Sequence, residues 1–186
     1  TIKFDLLEGF LLPDFHLQQN NLPLIEPQAD TVLEVAISKA QQAYAILNQP
    51  LVVEDTAFHI DGLDGFPGVY QKYVTEKIGA DGFLQLAENL TNRLCRFQSA
   101  LIFVDEQGEY HLFESDDFVG TLSHEKDTAI YDFYTEEVWR IFIIDGTDQC
   151  FSMFPLEERT KLWKAVEHRS VFAKFANWLR EKQSIG

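Results

Sequence analysis

Residues 50–73, PLVVEDTAFHIDGLDGFPGVYQKY, carry the strongest pattern in the chain. The segment opens with the β-branched run Leu51–Val53, which predicts a buried strand. Two adjacent acids, Glu54 and Asp55, end that run, and open α/β folds bind ligands at the carboxyl edge of a sheet. A loop rich in glycine and proline follows, and then Lys72. Carboxylates, a glycine-rich turn and a lysine this close together are what a metal-assisted phosphate site needs.

Helical patterns lie on both sides of this segment. Residues 1–12 have apolar side chains at helical spacing. Thr31 and Glu34 form a capping box for a helix that ends at Asn48 and leads directly into the apolar run. Residues 171–182 predict a last, core-facing helix. A helix that alternates with a buried strand is typical of α/β proteins.

Strand patterns fill the middle of the chain. They cover residues 96–105, 110–113 and 118–122, and residues 138–144 predict a central strand. Residues 123–137 are polar and acidic and predict a loop. We therefore expect an α/β fold: a central mixed, twisted sheet flanked by helices, with two lobes and an active-site cleft between them.

Composition limits the class of protein. The chain has 186 residues, 46% of them hydrophobic, which predicts one compact domain over residues 1–186 with a substantial core. Its net charge of −15 argues against a polynucleotide partner, and no apolar run suits a membrane span. Cys95 and Cys150 have apolar or aromatic neighbours and predict buried free thiols, which indicates a cytoplasmic protein.

The motifs of residues 50–73 resemble a known family, the inosine/xanthosine triphosphate pyrophosphatases. Its hallmark, Val-Glu-Asp-Thr followed by Gly-x-Pro-Gly-x-Tyr-x-Lys, is similar to residues 53–56 and 65–72 in order and spacing. Upstream, the family's Pro-Glu-x-Gln resembles residues 25–28, and its helix lysine resembles Lys39. Near the end, the family's Ser-His-Arg resembles residues 167–169, where Glu167 replaces the serine.

The chain departs from the family pattern at three places. The family's first strand and its Thr-Gly-Asn-x-x-Lys phosphate loop are not found; Lys3 would be the last residue of that loop, and the rest would either precede residue 1 or be lacking. The base-recognition motif keeps Trp139 but has Arg140 where the family has aspartate. Trp163 takes the place of a family lysine, with Lys164 one position later.

The resemblance implies hydrolysis of purine nucleoside triphosphates such as ITP, dITP and XTP to the monophosphate and pyrophosphate. Mg²⁺, or alternatively Mn²⁺, would neutralise phosphate charge, held by Glu26, Glu54 and Asp55. Either Asp55 or Glu54 would accept the proton of the attacking water. The phosphate oxygens would be contacted by the side chains of Lys3, Lys39 and Lys72.

The same resemblance assigns a base pocket and an assembly. Trp139 would stack on the purine, and His168 and Arg169 would donate to the 6-oxo group that adenine lacks. Arg140 is a further candidate for contact with the base or the triphosphate. A homodimer is implied, with an interface that uses the aromatic side chains of Tyr131, Phe133, Tyr134 and residues 151–154.

Two alternatives remain open. The first is a nucleotide-binding or regulatory protein of the same fold whose catalysis has weakened, which the missing loop and Arg140 favour. The second is an acidic interaction module, which only the net charge favours. Release of pyrophosphate separates the enzyme from both.

Overall fold

The computed structural model describes residues 2–128 and 137–185. These residues form five α-helices, five strands and three 3₁₀ turns. In chain order, the helices and strands are α1 (Ile2–Leu11), α2 (Val32–Leu47), β1 (Leu51–Ile60), β2 (Pro67–Gly68), α3 (Gln71–Leu86), β3 (Leu94–Val104), β4 (Tyr110–Leu122), β5 (Phe142–Ile144), α4 (Leu156–Glu167) and α5 (Val171–Ile185).

The strands form one five-stranded sheet in the order β2-β1-β3-β4-β5. Each described pairing is antiparallel, so the α/β class with flanking helices is confirmed but the sheet is not mixed. Strands β1 and β3 pair without interruption from Leu51 opposite Val104 to Ile60 opposite Cys95. This long register fixes which face of the sheet each β1 side chain occupies, because alternate residues of a strand point to opposite faces.

Helices cover both faces of the β1–β3 pair. On one face, here called the α2 face, small α2 residues such as Ala36 and Ala40 pack on Ala57 and Ala100. On the other, the α1 face, helices α1 and α5 pack around Leu101. Further along the sheet, an aromatic cluster fills the core, formed by Phe58, Phe83, Phe97, Phe118 and Phe142. Full burial of one such side chain contributes about 1.5–3 kcal/mol, so the cluster is a main source of stability.

Helix α2 forms as the sequence predicts. The Thr31 side chain accepts a hydrogen bond from the Glu34 amide while Glu34 binds back to the cap, so the capping box is confirmed. Asn48 ends the helix in a left-handed conformation. Helix α3 contains a break, because Gly79 has φ 60° inside that helix. Among the described helices, none is both long and apolar enough to cross a bilayer.

Two predictions about strands are wrong, and a third is confirmed over a longer span. Strand β1 does not stop before the two acids but runs on to Ile60, so Glu54 and Asp55 lie in mid-strand. Residues 138–144 are not a central strand: Glu137–Arg140 is a 3₁₀ turn, and only Phe142–Ile144 pairs, at the edge of the sheet. The patterns at residues 110–113 and 118–122 belong to the single strand β4.

Strand β4 contains a bulge that the sequence patterns do not show. Gln98 lies opposite Asp116 and Phe97 opposite Phe118, so Asp117 has no partner in the ladder. A bulge of this kind bends a strand and redirects a side chain. Gly120 on β4 is a point of close approach: a Cβ there would lie 2.0 Å from the Ile143 carbonyl oxygen.

The buried thiols and the aromatic segments give mixed outcomes. Cys95 and Cys150 are free and buried, as predicted, and burial raises the pKa of Cys95 to about 12. Phe151, expected at a subunit interface, packs in the aromatic core instead. Tyr131, Phe133 and Tyr134 lie outside the described residues.

Candidate active site

Glu54 and Asp55 lie on opposite faces of β1. Asp55 points to the α2 face, where it meets Lys39, and Glu54 points to the α1 face, where it meets Lys3. The cause is the two-residue period of a strand. Residues that are adjacent in sequence therefore belong to two different sets of side chains.

On the α2 face, one lysine joins two acids. The Lys39 ammonium donates to Glu26 Oε1 and to Asp55 Oδ2, each at 3.2 Å. Burial lowers the pKa of Lys39, but the charges and hydrogen bonds of Asp55 and Glu26 outweigh it, and the net pKa is raised. Lys39 thus stays a cation. The Glu26 side chain is 66% exposed and that of Asp55 21%, so solvent or a ligand reaches both acids.

An open cleft of about 500 Å³ lies beside this group. Its lining comes from the loop that follows Glu26, from the first half of α2 and from the residue before α3, namely Pro27, Gln28, Ala29, Asp30, Glu34, Ser38 and Tyr70. Lys72 lies in the first turn of α3, two residues after Tyr70, and is exposed. Among the described residues, the Lys72 side chain forms no ion pair or hydrogen bond. Pro27 and Ser38 of the lining are the chain neighbours of Glu26 and Lys39, which do not themselves line the cleft.

On the α1 face, Glu54 is enclosed. Its side chain is only 8% exposed. Lys3 Nζ lies 2.7 Å from Glu54 Oε2, and this contact is an ion pair but not a hydrogen bond. Lys3 also donates to Thr56 Oγ1 at 3.1 Å, and the Thr56 hydroxyl donates to Glu54 Oε1 at 2.6 Å.

These contacts continue into neighbouring strands. Thr56 Oγ1 lies 3.0 Å from Ser99 Oγ on β3. Ser99 Oγ in turn is hydrogen-bonded to Asp117 Oδ2, and Ser115 Oγ to Asp117 Oδ1. We call the group of Lys3, Glu54, Thr56, Ser99, Ser115 and Asp117 the α1-face network.

Asp117 has an unusual environment for an acid. Burial raises the pKa of its carboxyl group and the charge of Glu54 adds to this, while bonds from Ser115 and Ser99 and the charge of Lys3 oppose it. Sequence reasoning missed Asp117 and Ser99. A signal was present, because an aspartate pair between apolar strand residues is rare, but the bulge that turns Asp117 toward Ser99 depends on pairing with β3.

The donor set on the α2 face fits a divalent cation. Mg²⁺ takes one or two carboxylates together with waters and substrate phosphates, and Glu26 and Asp55 supply two carboxylates that meet at the Lys39 ammonium, which occupies the point between them. Glu54 is not brought to that face. Consistent with this, no cluster of three or more His, Cys, Asp or Glu side chains arranged for a metal exists in residues 2–128 and 137–185.

The residues predicted to bind the base lie elsewhere. Trp139 stacks on Phe97, with ring centroids 4.3 Å apart, and also contacts Phe118, Phe142 and Phe151. One face of its indole is therefore used by the core.

His168 ends α4 and is exposed. Arg169 donates to the Asp117 backbone carbonyl at 3.3 Å, which puts it next to the α1-face network. Arg140 binds the Asp127 carbonyl and forms an ion pair with Glu137, both of which stabilise the protein locally.

Residues 5–178 match the model of the Ham1 family. Among curated proteins, the dITP/XTP pyrophosphatase of Thermococcus kodakarensis is 33% identical over 159 residues, 84% of this chain and 79% of that protein. The dITP/XTP pyrophosphatase of Methanopyrus kandleri is 31% identical over 168 residues, 88% of this chain and 83% of that protein.

Solved structures show the same fold. The Ham1 protein of Staphylococcus aureus superposes with a TM-score of 0.78 at 19% identity, covering 98% of this chain and 95% of that one. A nucleoside-triphosphatase (dITP/XTP pyrophosphatase) from Mycobacterium abscessus gives 0.71 at 18% identity, covering 89% and 88%.

Proposed function

Since the chain belongs to the Ham1 family, we propose that it hydrolyses non-standard purine nucleoside triphosphates, such as dITP, ITP and XTP, to the monophosphate and pyrophosphate. Relatives with this activity in their names match along most of the chain. The observation that carries the proposal is the Glu26–Lys39–Asp55 group beside an open cleft. Two accessible acids and a lysine that remains charged are suited to a triphosphate.

We assign the metal to Glu26 and Asp55, with Mg²⁺ preferred and Mn²⁺ as the alternative. A bound divalent cation supplies charge neutralisation on the phosphate oxygens. Lys39 lies between the two acids, so its ammonium is placed to bind a phosphate oxygen near them. Lys72, exposed near the cleft, and Lys3 are proposed as further phosphate contacts.

Asp55 is the better candidate for the general base. A base must reach the water whose proton it accepts, and Asp55 is accessible on the α2 face. Glu54 is enclosed and paired with Lys3, which suits a role in positioning that lysine instead. The structure thus favours one of the two assignments that the sequence left open.

Recognition of the base is proposed for Trp139, His168 and Arg169. Since Phe97 and Phe151 both pack against Trp139, a purine would stack on the part of the indole that these rings leave uncovered. Donors from His168 and Arg169 would favour a 6-oxo group over the adenine amino group, and a mismatch of this kind can reach about 10⁴-fold in discrimination. We also propose a cytoplasmic homodimer; the free thiols support a reducing compartment.

The test is pyrophosphate release from dITP, XTP and dATP by the purified protein with Mg²⁺. We expect dITP and XTP to be cleaved far faster than dATP, and chelation of the metal to stop the reaction. Equal rates on all purines would contradict the roles of His168 and Arg169. Absence of cleavage, together with a melting temperature that rises with nucleotide, would favour the binding-protein alternative.

A further inference from the structure

The α1-face network links two carboxylates through the hydroxyls of Thr56 and Ser99, and a third hydroxyl, that of Ser115, binds the second carboxylate. Four oxygen–oxygen contacts form an unbroken series: Glu54 to Thr56, Thr56 to Ser99, Ser99 to Asp117, and Asp117 to Ser115. Ser99 and Ser115 are buried, at 1% and 8% exposure. Thr56 and Asp117 are partly buried. A contact between two oxygens is favourable only when a proton lies between them.

Counting protons shows that one is missing. Each serine or threonine hydroxyl has one proton to donate, and an ionised carboxylate has none. The three hydroxyls therefore supply protons for only three of the four contacts. Lys3 donates to Thr56 from outside the series and does not fill the gap. If both acids were ionised, one contact would bring two lone pairs together.

The missing proton belongs on Asp117 rather than on Glu54. Glu54 Oε2 is 2.7 Å from the Lys3 ammonium, so of the two acids Glu54 is the one paired directly with a cation. Among the described residues, no ion pair reaches the carboxyl of Asp117: Arg169 binds only its backbone carbonyl. Glu54 and Glu167, which borders the same small pocket, carry the same sign as an ionised Asp117, and the charge of Lys3 opposes them. Like charge and burial both disfavour ionisation of Asp117.

We infer that Asp117 is held as the neutral acid and donates to Ser99, which orders the hydrogen bonds from Ser99 to Thr56 and from Thr56 to Glu54. All four contacts then contain one proton each. Glu54 is thereby fixed in the orientation that holds Lys3. Asp117 is a positioning residue, placed by the bulge in β4, and the direction of its pKa agrees with this.

The consequence for activity rests on the proposed function, in which Lys3 contacts phosphate. Without the bond from Asp117, Ser99 and Thr56 can reorient, and Glu54 no longer holds Lys3 in one place. We expect this to weaken binding of the triphosphate and to raise KM, with a smaller change in kcat. An effect of about 3- to 10-fold is the size expected for loss of one hydrogen bond.

The decisive comparison is between Asp117→Asn and Asp117→Ala. Asparagine matches the neutral acid, because its amide N–H can donate to Ser99 while its oxygen accepts from Ser115. We expect Asp117→Asn to keep the stability at neutral pH and the KM of the parent protein, and Asp117→Ala to lose both. Asp116→Asn, the exposed neighbour outside the network, is the matched control. If Asn were as damaging as Ala, Asp117 would be an ionised acceptor and the inference would be wrong.

The pH dependence of unfolding gives a second readout that does not need activity. A carboxyl group with a raised pKa stabilises the folded protein at low pH, and this contribution is lost as pH rises through the raised value. The stability of the parent relative to Asp117→Asn should therefore fall with rising pH above the usual aspartate range. If the stability of the parent relative to Asp117→Asn rose with pH instead, the inference would be overturned, even in a protein without pyrophosphatase activity. The ¹³C shift of the Asp117 carboxyl in labelled parent protein tests the same point without a variant.

Discussion

The two faces of β1 carry the same types of side chain, a lysine paired with acids, but in different surroundings. On the α2 face, Lys39 holds two acids that solvent reaches, beside a cleft. On the α1 face, Lys3 holds an acid that is 8% exposed, backed by hydroxyls and a second acid. The first arrangement leaves its oxygens available to a ligand, while the second uses almost all of them internally. Access to solvent, more than residue type, separates the group proposed to react from the group proposed to position Lys3.

Asp55→Asn is the substitution with the largest expected effect on the α2 face. Loss of the carboxylate removes the proposed base and metal ligand, so kcat for dITP should fall by about 10²- to 10⁴-fold, with the fold retained. Steady-state pyrophosphate release measures this. Glu114→Gln, an exposed acid on β4 opposite Ala100, is the control and should stay close to the parent. If Asp55→Asn were fully active, the base and the metal ligand would not lie on the α2 face.

Glu54→Gln tests the other face and should mainly change stability. It removes the charged partner of Lys3 and weakens the bond from Thr56, for a loss of about 1–3 kcal/mol. Denaturant unfolding measures that loss. Activity should fall less than in Asp55→Asn and chiefly through KM. The reverse pattern, intact stability with lost kcat, would make Glu54 the base instead.

Double-mutant cycles test whether the two faces are independent. Lys39→Met and Asp55→Asn remove directly bonded partners, so their effects on stability should be non-additive by about 0.5–3 kcal/mol. Lys3→Met and Asp55→Asn act on opposite faces and should add to within about 0.5 kcal/mol. Strong coupling in the second cycle would show that the sheet transmits interactions between its faces.

His59 offers the smallest expected effect, further along β1. Burial lowers the pKa of His59, and the charge of Arg96 lowers it further. A histidine with a lowered pKa stabilises the folded protein above its usual pKa, and this is lost as pH falls below that value. His59→Gln should therefore flatten the decline in stability toward mildly acidic pH, as thermal melts would show. An unchanged slope would mean that His59 is not buried as the neutral form.

Local signals predicted the parts of the site that depend on neighbouring residues. The capping box at Thr31 sets the start of α2. The family resemblance brought Glu26, Lys39 and Asp55 into one hypothesis, and the structure places these three in contact. Strand alternation separates Glu54 from Asp55 because β1 runs on to Ile60, which the short apolar run does not indicate.

The remaining features depend on pairing between distant segments. Ser99 and Asp117 meet because of the bulge between β3 and β4, and no spacing within one segment encodes it. The apolar run at residues 138–144 looks like a central strand, yet Val138 and Trp139 are buried by the aromatic cluster in a 3₁₀ turn. Apolar runs report burial, and burial in this region comes from tertiary packing rather than from the sheet.

The continuous pairing of β1 with β3 also bears on how the chain folds. A slip of one residue would exchange the two faces, sending Asp55 toward the apolar packing of α1 and Glu54 under the alanines of α2. Each acid would lose its lysine, and burial of an unpaired charge is strongly unfavourable. The adjacent acids thus help to fix the alignment of β1 with β3. A sheet paired one residue out of register would be less stable, whether or not a nucleotide is bound.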